Sequence, residues 1–201
     1  MFKKITVASG NTGKIREFSQ LLKLWQIELI PQSEFGVPEV EENGCSFVEN
    51  ALLKARNCAS YTPLPVIADD SGLCVPFLSG RPGIRSARYS GDYVNNQENI
   101  TKVLDEMSGI NFPDRKAYLY CTIVFLMNAT DSEPIIANGR LNGYIHDKIS
   151  GKEGFGYDGI FYLPHYQLTL AELNIETKNI ISHRARGVLN LQQMLLHKYQ
   201  K

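Results

Sequence analysis

The chain is poor in several features that would assign a class at once, and each shortage excludes something. No apolar run approaches the roughly 20 residues that a membrane-spanning helix needs, so no membrane partner is expected. The opening "MFKKITVASGN" has two lysines but neither a long apolar stretch nor a small-residue cleavage site, so it does not read as an export signal and a cytoplasmic protein is expected. Charge of one sign is not in excess either: 21 Lys and Arg offset 21 Asp and Glu. That leaves no broad positive field of the kind that grips a nucleic-acid backbone, and no nucleic-acid partner is expected. Cysteine is scarce and scattered, at Cys45, Cys58, Cys74 and Cys121, with no C-x-x-C pair. Those spacings disfavour a zinc site and read as buried free thiols in a reducing compartment. Internal repeats and low-complexity linkers are absent too, so residues 1–201 are expected to form one domain with a substantial core.

What is present is an alternation of apolar periods that predicts an α/β fold. Lys4 to Ala8 reads as a buried strand, and Gly13 to Leu24 as a helix with Ile15, Phe18, Leu21, Leu22 and Trp25 at near-helical spacing. "IELI" is a short strand closed by Pro31, and a polar, acidic loop runs on to Ser46. Ser46 with Glu49 makes a capping-box start for a helix through "FVENALLKARNCASY", which places Asn50 and Lys54 on one face. "PVIADDSGLCV" reads as an apolar strand interrupted by two carboxylates at its end, and "SGRPGIRSARYSG" as a long loop. A helix is expected over Val94 to Met107, then an antiparallel pair from "KAYLYCTIVFLMN" and "EPIIANGRLNGYI". Gly151 to Gly159 is a glycine-rich loop, and Ser182 caps a last helix reaching about Tyr199.

Five groups of residues could carry chemistry. "ASGNTGKIREF" runs from a strand through Gly10, Asn11, Thr12, Gly13 and Lys14 into a helix, as a phosphate-holding turn does. It departs from the common phosphate loop, because its glycines are three apart and Ile15 stands where a metal-binding hydroxyl would be. Any metal must therefore be held elsewhere. Glu39, Glu41 and Glu42 share a loop, where such a run is usually a solvated face. Asp69 and Asp70 differ, since adjacent carboxylates after "PVIA" suit a hydrated Mg²⁺ shared with phosphate oxygens, and strand alternation sends only one of them to a given face. Lys14, Lys54, Lys178, His183, Arg184 and Arg186 form a basic set that is either surface charge or anion-directed, and "SHR" at a helix start favours the second reading. In "GFGYDG", Phe155 and Tyr157 either fill core or stack on a base. Arg81, Arg85 and Arg88 are either exposed loop arginines or phosphate contacts.

In order along the chain, "SGNTGKIREF", "EENGCSFVENALLKA", "ADDSGL", "GRPGIRSARYSG", "GFGYDGIF" and "SHRARG" resemble the Ham1-type inosine triphosphate pyrophosphatases, in particular the bacterial members that remove xanthosine and inosine triphosphates. The resemblance spans Ser9 to Gly187. It implies an elongated mixed sheet flanked by helices, two lobes around a central substrate cleft, and a homodimer. It implies hydrolysis of ITP, dITP and XTP between the α and β phosphates, giving a monophosphate and pyrophosphate and cleansing the nucleotide pool, with Mg²⁺ as cofactor. By position, Ser9, Gly10, Asn11, Thr12, Gly13 and Lys14 match the triphosphate loop, Glu42 and Asp70 the metal-binding acids, and Asp70 also the proton acceptor. Lys54 matches a phosphate-contacting lysine counted with the catalytic residues, and Ser71 a substrate contact. Phe155, Gly156, Tyr157 and Asp158 match the base and sugar segment, and Lys178, Ser182, His183 and Arg184 the base-recognition segment.

These residue types suit the reaction. A nucleophile approaches a triphosphate only when its charge is neutralised, as Mg²⁺ with Lys14 and Lys54 would do, and a carboxylate near the metal can take the proton from water. Donors facing the purine six-oxygen would be left unpaired by adenine, which rejects ATP. Gly159 stands where the family pattern most often has proline, and a loosened turn there bears on base selectivity. Two rivals are a pyrophosphatase with another base preference and a nucleotide-binding regulator without catalysis. A nucleic-acid module ranks below both.

Overall fold

The computed structural model describes residues 2–91 and 95–199. In chain order the elements are β1 (Lys4–Val7), α1 (Thr12–Lys23), β2 (Glu28–Pro31), α2 (Phe47–Ala59), β3 (Val66–Cys74), α3 (Asn96–Glu106), β4 (Lys116–Leu126), β5 (Ile135–Ile145), β6 (Phe161–Leu163), β7 (Leu168–Thr169), α4 (Ile175–Ile181) and α5 (His183–Tyr199). The strands join in the order β2-β1-β3-β4-β5-β6-β7. β1 pairs parallel with β2 and β3, and β6 pairs antiparallel with β5 and β7, so the sheet is mixed and flanked by helices, as expected.

The chain divides into two compact units, each assembled from separate stretches. One takes the chain up to Asp70, Cys121–Gly139 and the part from Ser182 onward; the other takes Ser71–Tyr120 and Arg140–Ile181. β3, β4 and β5 each pass from one unit into the other.

In the first unit both faces of the sheet are covered, which is why its parallel strands read as near-continuous apolar runs. Ile5, Val7 and Ile67 pack against Phe18, Leu21 and Leu22 of α1 and Val188 and Leu191 of α5. On the other face Ala8, Val66, Ala68, Val124 and Leu126 meet Ala51, Ala55 and Cys58 of α2. In the second unit a single core gathers Leu73, Val75, Ile100, Val103, Leu119, Leu141 and Phe161. There β5 alternates buried and exposed residues, and the Arg140 guanidinium lies 3.6 Å over the Tyr118 ring.

Local chemistry sets the helix starts. Asn11 Oδ1 accepts from the Lys14 N–H at 3.0 Å and opens α1. Ser46 Oγ accepts from the Glu49 N–H and starts α2 where expected, while the Glu49 carboxylate takes the N–H of Cys45, one residue before the N-cap of the expected capping box, at 2.7 Å. Such a cap contributes ~1 kcal/mol. α3 begins at Asn96 behind an Asn95–Glu98 capping box; of the segment expected to be helical, Val94 lies outside the described residues.

Five readings change, the first being that Cys45 is exposed while Cys58, Cys74 and Cys121 are buried as expected. Asp69 and Asp70 lie inside a nine-residue strand, not at its end, and are 1% and 4% exposed. They stay in the core because cations and an amide face them there. The loop after β2 contains a short 3-10 turn, Gln32–Phe35, and the glycine-rich stretch after β3 contains another, Gly83–Arg88. The second is pinned by Ser86, whose hydroxyl accepts from Leu73 N–H at 2.9 Å and donates to Gly83 C=O at 2.6 Å. α4 and the short strands β6 and β7 were not anticipated, being too brief to show a period.

Candidate active site

Strand alternation places the two adjacent aspartates on opposite faces of the sheet. Ile67 packs on the α1 and α5 side and Ala68 on the α2 side, so with a period of two Asp69 follows Ile67 and Asp70 follows Ala68. Their partners agree. Asp69 Oδ2 accepts from Arg184 at 3.2 Å and pairs with Lys14 Nζ at 3.2 Å. Asp70 Oδ2 accepts from the Asn50 amide at 3.1 Å, and its Oδ1 lies 3.7 Å from Lys54 Nζ.

The α2 side carries the expected metal acids. Lys54 Nζ also reaches Glu42 Oε1 at 3.2 Å, so one ammonium stands between the two carboxylates. Asn50 organises this group, for it is wholly buried and bonds in two directions. Besides holding Asp70, its Oδ1 accepts the Gly44 N–H at 2.8 Å and ties down the loop that carries Glu42. Gly44 must be glycine there, since a Cβ would lie 2.7 Å from Asn50 Oδ1. Sequence reasoning placed Asn50 and Lys54 on one helical face without giving Asn50 a task.

The α1 side is more closed. Arg184, 1% exposed, donates to both Glu17 and Asp69, and its guanidinium lies 5.6 Å from the centre of the Phe18 ring. Burial works against its charge, but Asp69 and Glu17 outweigh that and hold it firmly protonated. Glu17 was not singled out from the sequence. The available signal was its position three residues after Lys14 and beside the core residue Phe18, which puts it on an inward face of α1. Burial lowers the Lys14 ammonium pKa, opposed chiefly by Asp69, with Lys54 and Arg184 adding to the lowering. Burial likewise raises the Asp70 carboxyl, opposed by Lys54, Lys14 and Asn50. The two lysines therefore act on one field.

Of the remaining triphosphate-loop residues, Ser9 Oγ accepts from the Asn11 N–H at 3.2 Å, while Gly10, Asn11 and Thr12 are exposed and Gly13 is half-buried. Thr12 and Gly13 present first-turn N–H groups that α1 itself cannot satisfy. Ser182 caps α5 by accepting the Ala185 N–H at 3.0 Å, and His183 is buried, its carbonyl accepting from Cys121 Sγ at 3.4 Å. The start of α5 sits so close to β5 that a Cβ on Gly139 would lie 1.9 Å from the His183 carbonyl oxygen.

The second unit holds the other expected segment. Asp158 Oδ2 accepts from the Phe155 N–H at 2.9 Å and from Lys178 Nζ at 2.7 Å, and Lys178 Nζ lies 5.4 Å from the centre of the Phe155 ring. Gly154, at φ +83°, leaves no room for a Cβ beside that carboxylate. Tyr157 belongs to the core, its hydroxyl donating to Ser86 C=O at 2.8 Å, so of the two aromatics only half-buried Phe155 offers a ring. Gly156 has a left-handed φ of 59°, and Ser71 is half-buried on β3. Arg81 pairs with Glu106 at 3.6 Å, and Arg85 is exposed.

No cluster of three or more His, Cys, Asp or Glu side chains able to hold a metal occurs among the described residues. The hard oxygen pair of Glu42 and Asp70, already converging on a cation, fits an ion such as Mg²⁺ that takes one or two carboxylates and completes its shell with water and phosphate. Among the described residues no helix is long and apolar enough to cross a membrane.

The model of the Ham1 family matches residues 5–194. A dITP/XTP pyrophosphatase from Legionella pneumophila (strain Paris) is 48% identical over 193 residues, 96% of this chain and 98% of its own. One from Escherichia coli (strain K12) is 44% identical, covering 92% and 94% respectively. The solved structure of a HAM1 protein from Coxiella burnetii superposes with a TM-score of 0.88 at 44% identity, over 98% of this chain and all of that one.

Proposed function

The chain belongs to the Ham1 family, and on that premise we propose that it hydrolyses ITP, dITP and XTP to the nucleoside monophosphate and pyrophosphate. The observation that carries the reading is the group on and beside β3: Lys14 at the start of α1, Lys54 between Glu42 and Asp70, and Asn50 fixing that carboxylate pair. Cations for a triphosphate and acids for a metal lie within one unit.

Exposed N–H groups of the first turn of α1, with Lys14, receive phosphate oxygens, where the helix dipole favours negative charge. Glu42 and Asp70 would hold Mg²⁺, which when bound polarises phosphate oxygens and lowers the pKa of a coordinated water. Asp70 orients the attacking water and takes its proton. Lys54 neutralises charge that develops as the α–β bridge breaks. Phe155 stacks on the base, with Gly156 and Asp158 beside it on the same segment and Tyr157 anchoring that segment through Ser86. Lys178, Ser182 and His183 serve recognition of the purine six-oxygen, Arg184 holding the start of α5 in place through Glu17 and Asp69, and Ser71 contacts the substrate. Residues 1–201 act as one catalytic domain, working as a cytoplasmic homodimer; light scattering should give twice the chain mass.

The test is release of pyrophosphate and monophosphate from ITP, XTP, dITP, ATP, GTP and CTP, with Mg²⁺ and with EDTA. Metal-dependent release confined mainly to the first three is expected. An even response across the panel would discard the base preference, and silence throughout would discard the enzyme.

A further inference from the structure

Glu42 and Asp70 converge on a point already held by a cation of the chain itself. Lys54 Nζ lies 3.2 Å from Glu42 Oε1 and 3.7 Å from Asp70 Oδ1, on a side chain only 13% exposed. Asn50, one helical turn earlier, takes Asp70 Oδ2 and leaves Oδ1 turned toward that ammonium, while its own oxygen fixes the Glu42 loop through Gly44. The carboxylates are thus placed by Asn50, and Lys54 offsets part of their charge.

We infer that Lys54 is a resident substitute for the divalent cation, which must vacate the carboxylate pair before a metal can enter, so that metal and polyphosphate bind cooperatively. This rests on the reading of Glu42 and Asp70 as the metal acids. The physical reason is that an ammonium and a divalent cation cannot share two carboxylates at these distances without strong repulsion. The lysine stem is a flexible four-carbon chain, and the anions that can draw its head group away are the oxygens of a bound polyphosphate. A polyphosphate therefore raises metal affinity by the factor by which metal raises polyphosphate affinity, as linkage requires. The water-activating site is assembled only when there is something to hydrolyse, and Lys54 reaches its catalytic position by the same movement that opens the metal site.

Mn²⁺ binding to the substrate-free protein, followed by the loss of the free-ion EPR signal, tests this without recourse to turnover. Lys54→Met keeps the apolar stem and removes the charge, and is expected to bind Mn²⁺ at least about tenfold more tightly than the parent. Lys54→Arg keeps the charge and should remain as weak as the parent. Adding Glu42→Gln to Lys54→Met should abolish the gain, and thermal melting without metal checks that each variant is folded. A Lys54→Met protein that is folded and gains no affinity overturns the inference alone, since the need of wild-type turnover for metal is measured separately. A gain that survives Glu42→Gln places the ion elsewhere and overturns the metal reading as well.

Discussion

Asp69 and Asp70 are chemically identical neighbours on one strand, and the two faces of the sheet use them differently. Asp69 faces two cations, Arg184 and Lys14, each at 3.2 Å, and Arg184 is held from its other side by Glu17. Asp70 faces a neutral amide at 3.1 Å and the Lys54 ammonium at 3.7 Å, which is shared with Glu42. A carboxylate clasped by a buried guanidinium that is always charged serves as an anchor. One met by an amide and a movable lysine can exchange that lysine for a metal and accept a proton. The difference teaches that two carboxylates buried to nearly the same degree are neutralised in different ways, and the role proposed for Asp70 rests on the weaker of the two arrangements.

The largest expected effect strikes the anchored side. Arg184→Ala leaves Glu17 and Asp69 buried without their shared guanidinium, and urea unfolding should show a loss of about 3–5 kcal/mol. A loss below about 1 kcal/mol would show that this network does not hold the fold and would return Arg184 to a purely ligand-directed role. On the other side, Asp70→Asn should lower turnover at least about 100-fold while keeping the melting temperature within a few degrees, because it removes the proton acceptor and a metal ligand but keeps the shape. Near-normal turnover would erase the contrast between the two aspartates.

Smaller effects sharpen it. Asn50→Ala removes the donor to Asp70 and the acceptor for Gly44; it should cost about 1–3 kcal/mol of stability and lower kcat more than it raises KM, since substrate phosphate does not need Asn50 directly. An unchanged kcat would mean that Asp70 holds its orientation without help. The smallest effect is on thiol chemistry. Cys121, beside Asp69 and Arg184, is buried and its thiol is pushed up to about 12, whereas Cys45, on the loop after Glu42, is exposed. Iodoacetamide at pH 8 should label Cys45 alone in the native protein and all four cysteines after unfolding. Rapid labelling of Cys121 would show that the anchored side opens.

Much of the site could be read in advance because it follows from local rules. Ser46 before "FVEN" with Glu49 at the capping position starts α2 where expected, and that start alone puts Asn50 and Lys54 one turn apart. Asn11 and Ser182 cap their helices through side-chain oxygens accepting nearby N–H groups, a matter of three residues of chain. What could not be read depends on partners far away in sequence. Asp69 and Asp70 remain inside β3 because Arg184, 115 positions from Asp69, and Asn50, 20 positions from Asp70, are waiting there. Tyr157 goes to the core because the Ser86 carbonyl, 71 positions earlier, accepts its hydroxyl.

The amino-acid sequence by itself determined the α/β class, the starts of α1, α2 and α5, the residue types of the site and the family, because propensity, capping and motif order act over a few residues at a time. Only the tertiary structure decided which aspartate meets Arg184 and which meets Asn50, that Glu17 and Arg184 are buried together, and that Lys54 stands between Glu42 and Asp70. Those outcomes depend on which charges are brought within a few ångströms of each other away from water, where electrostatic interaction is strongest, and no spacing along the chain encodes that distance.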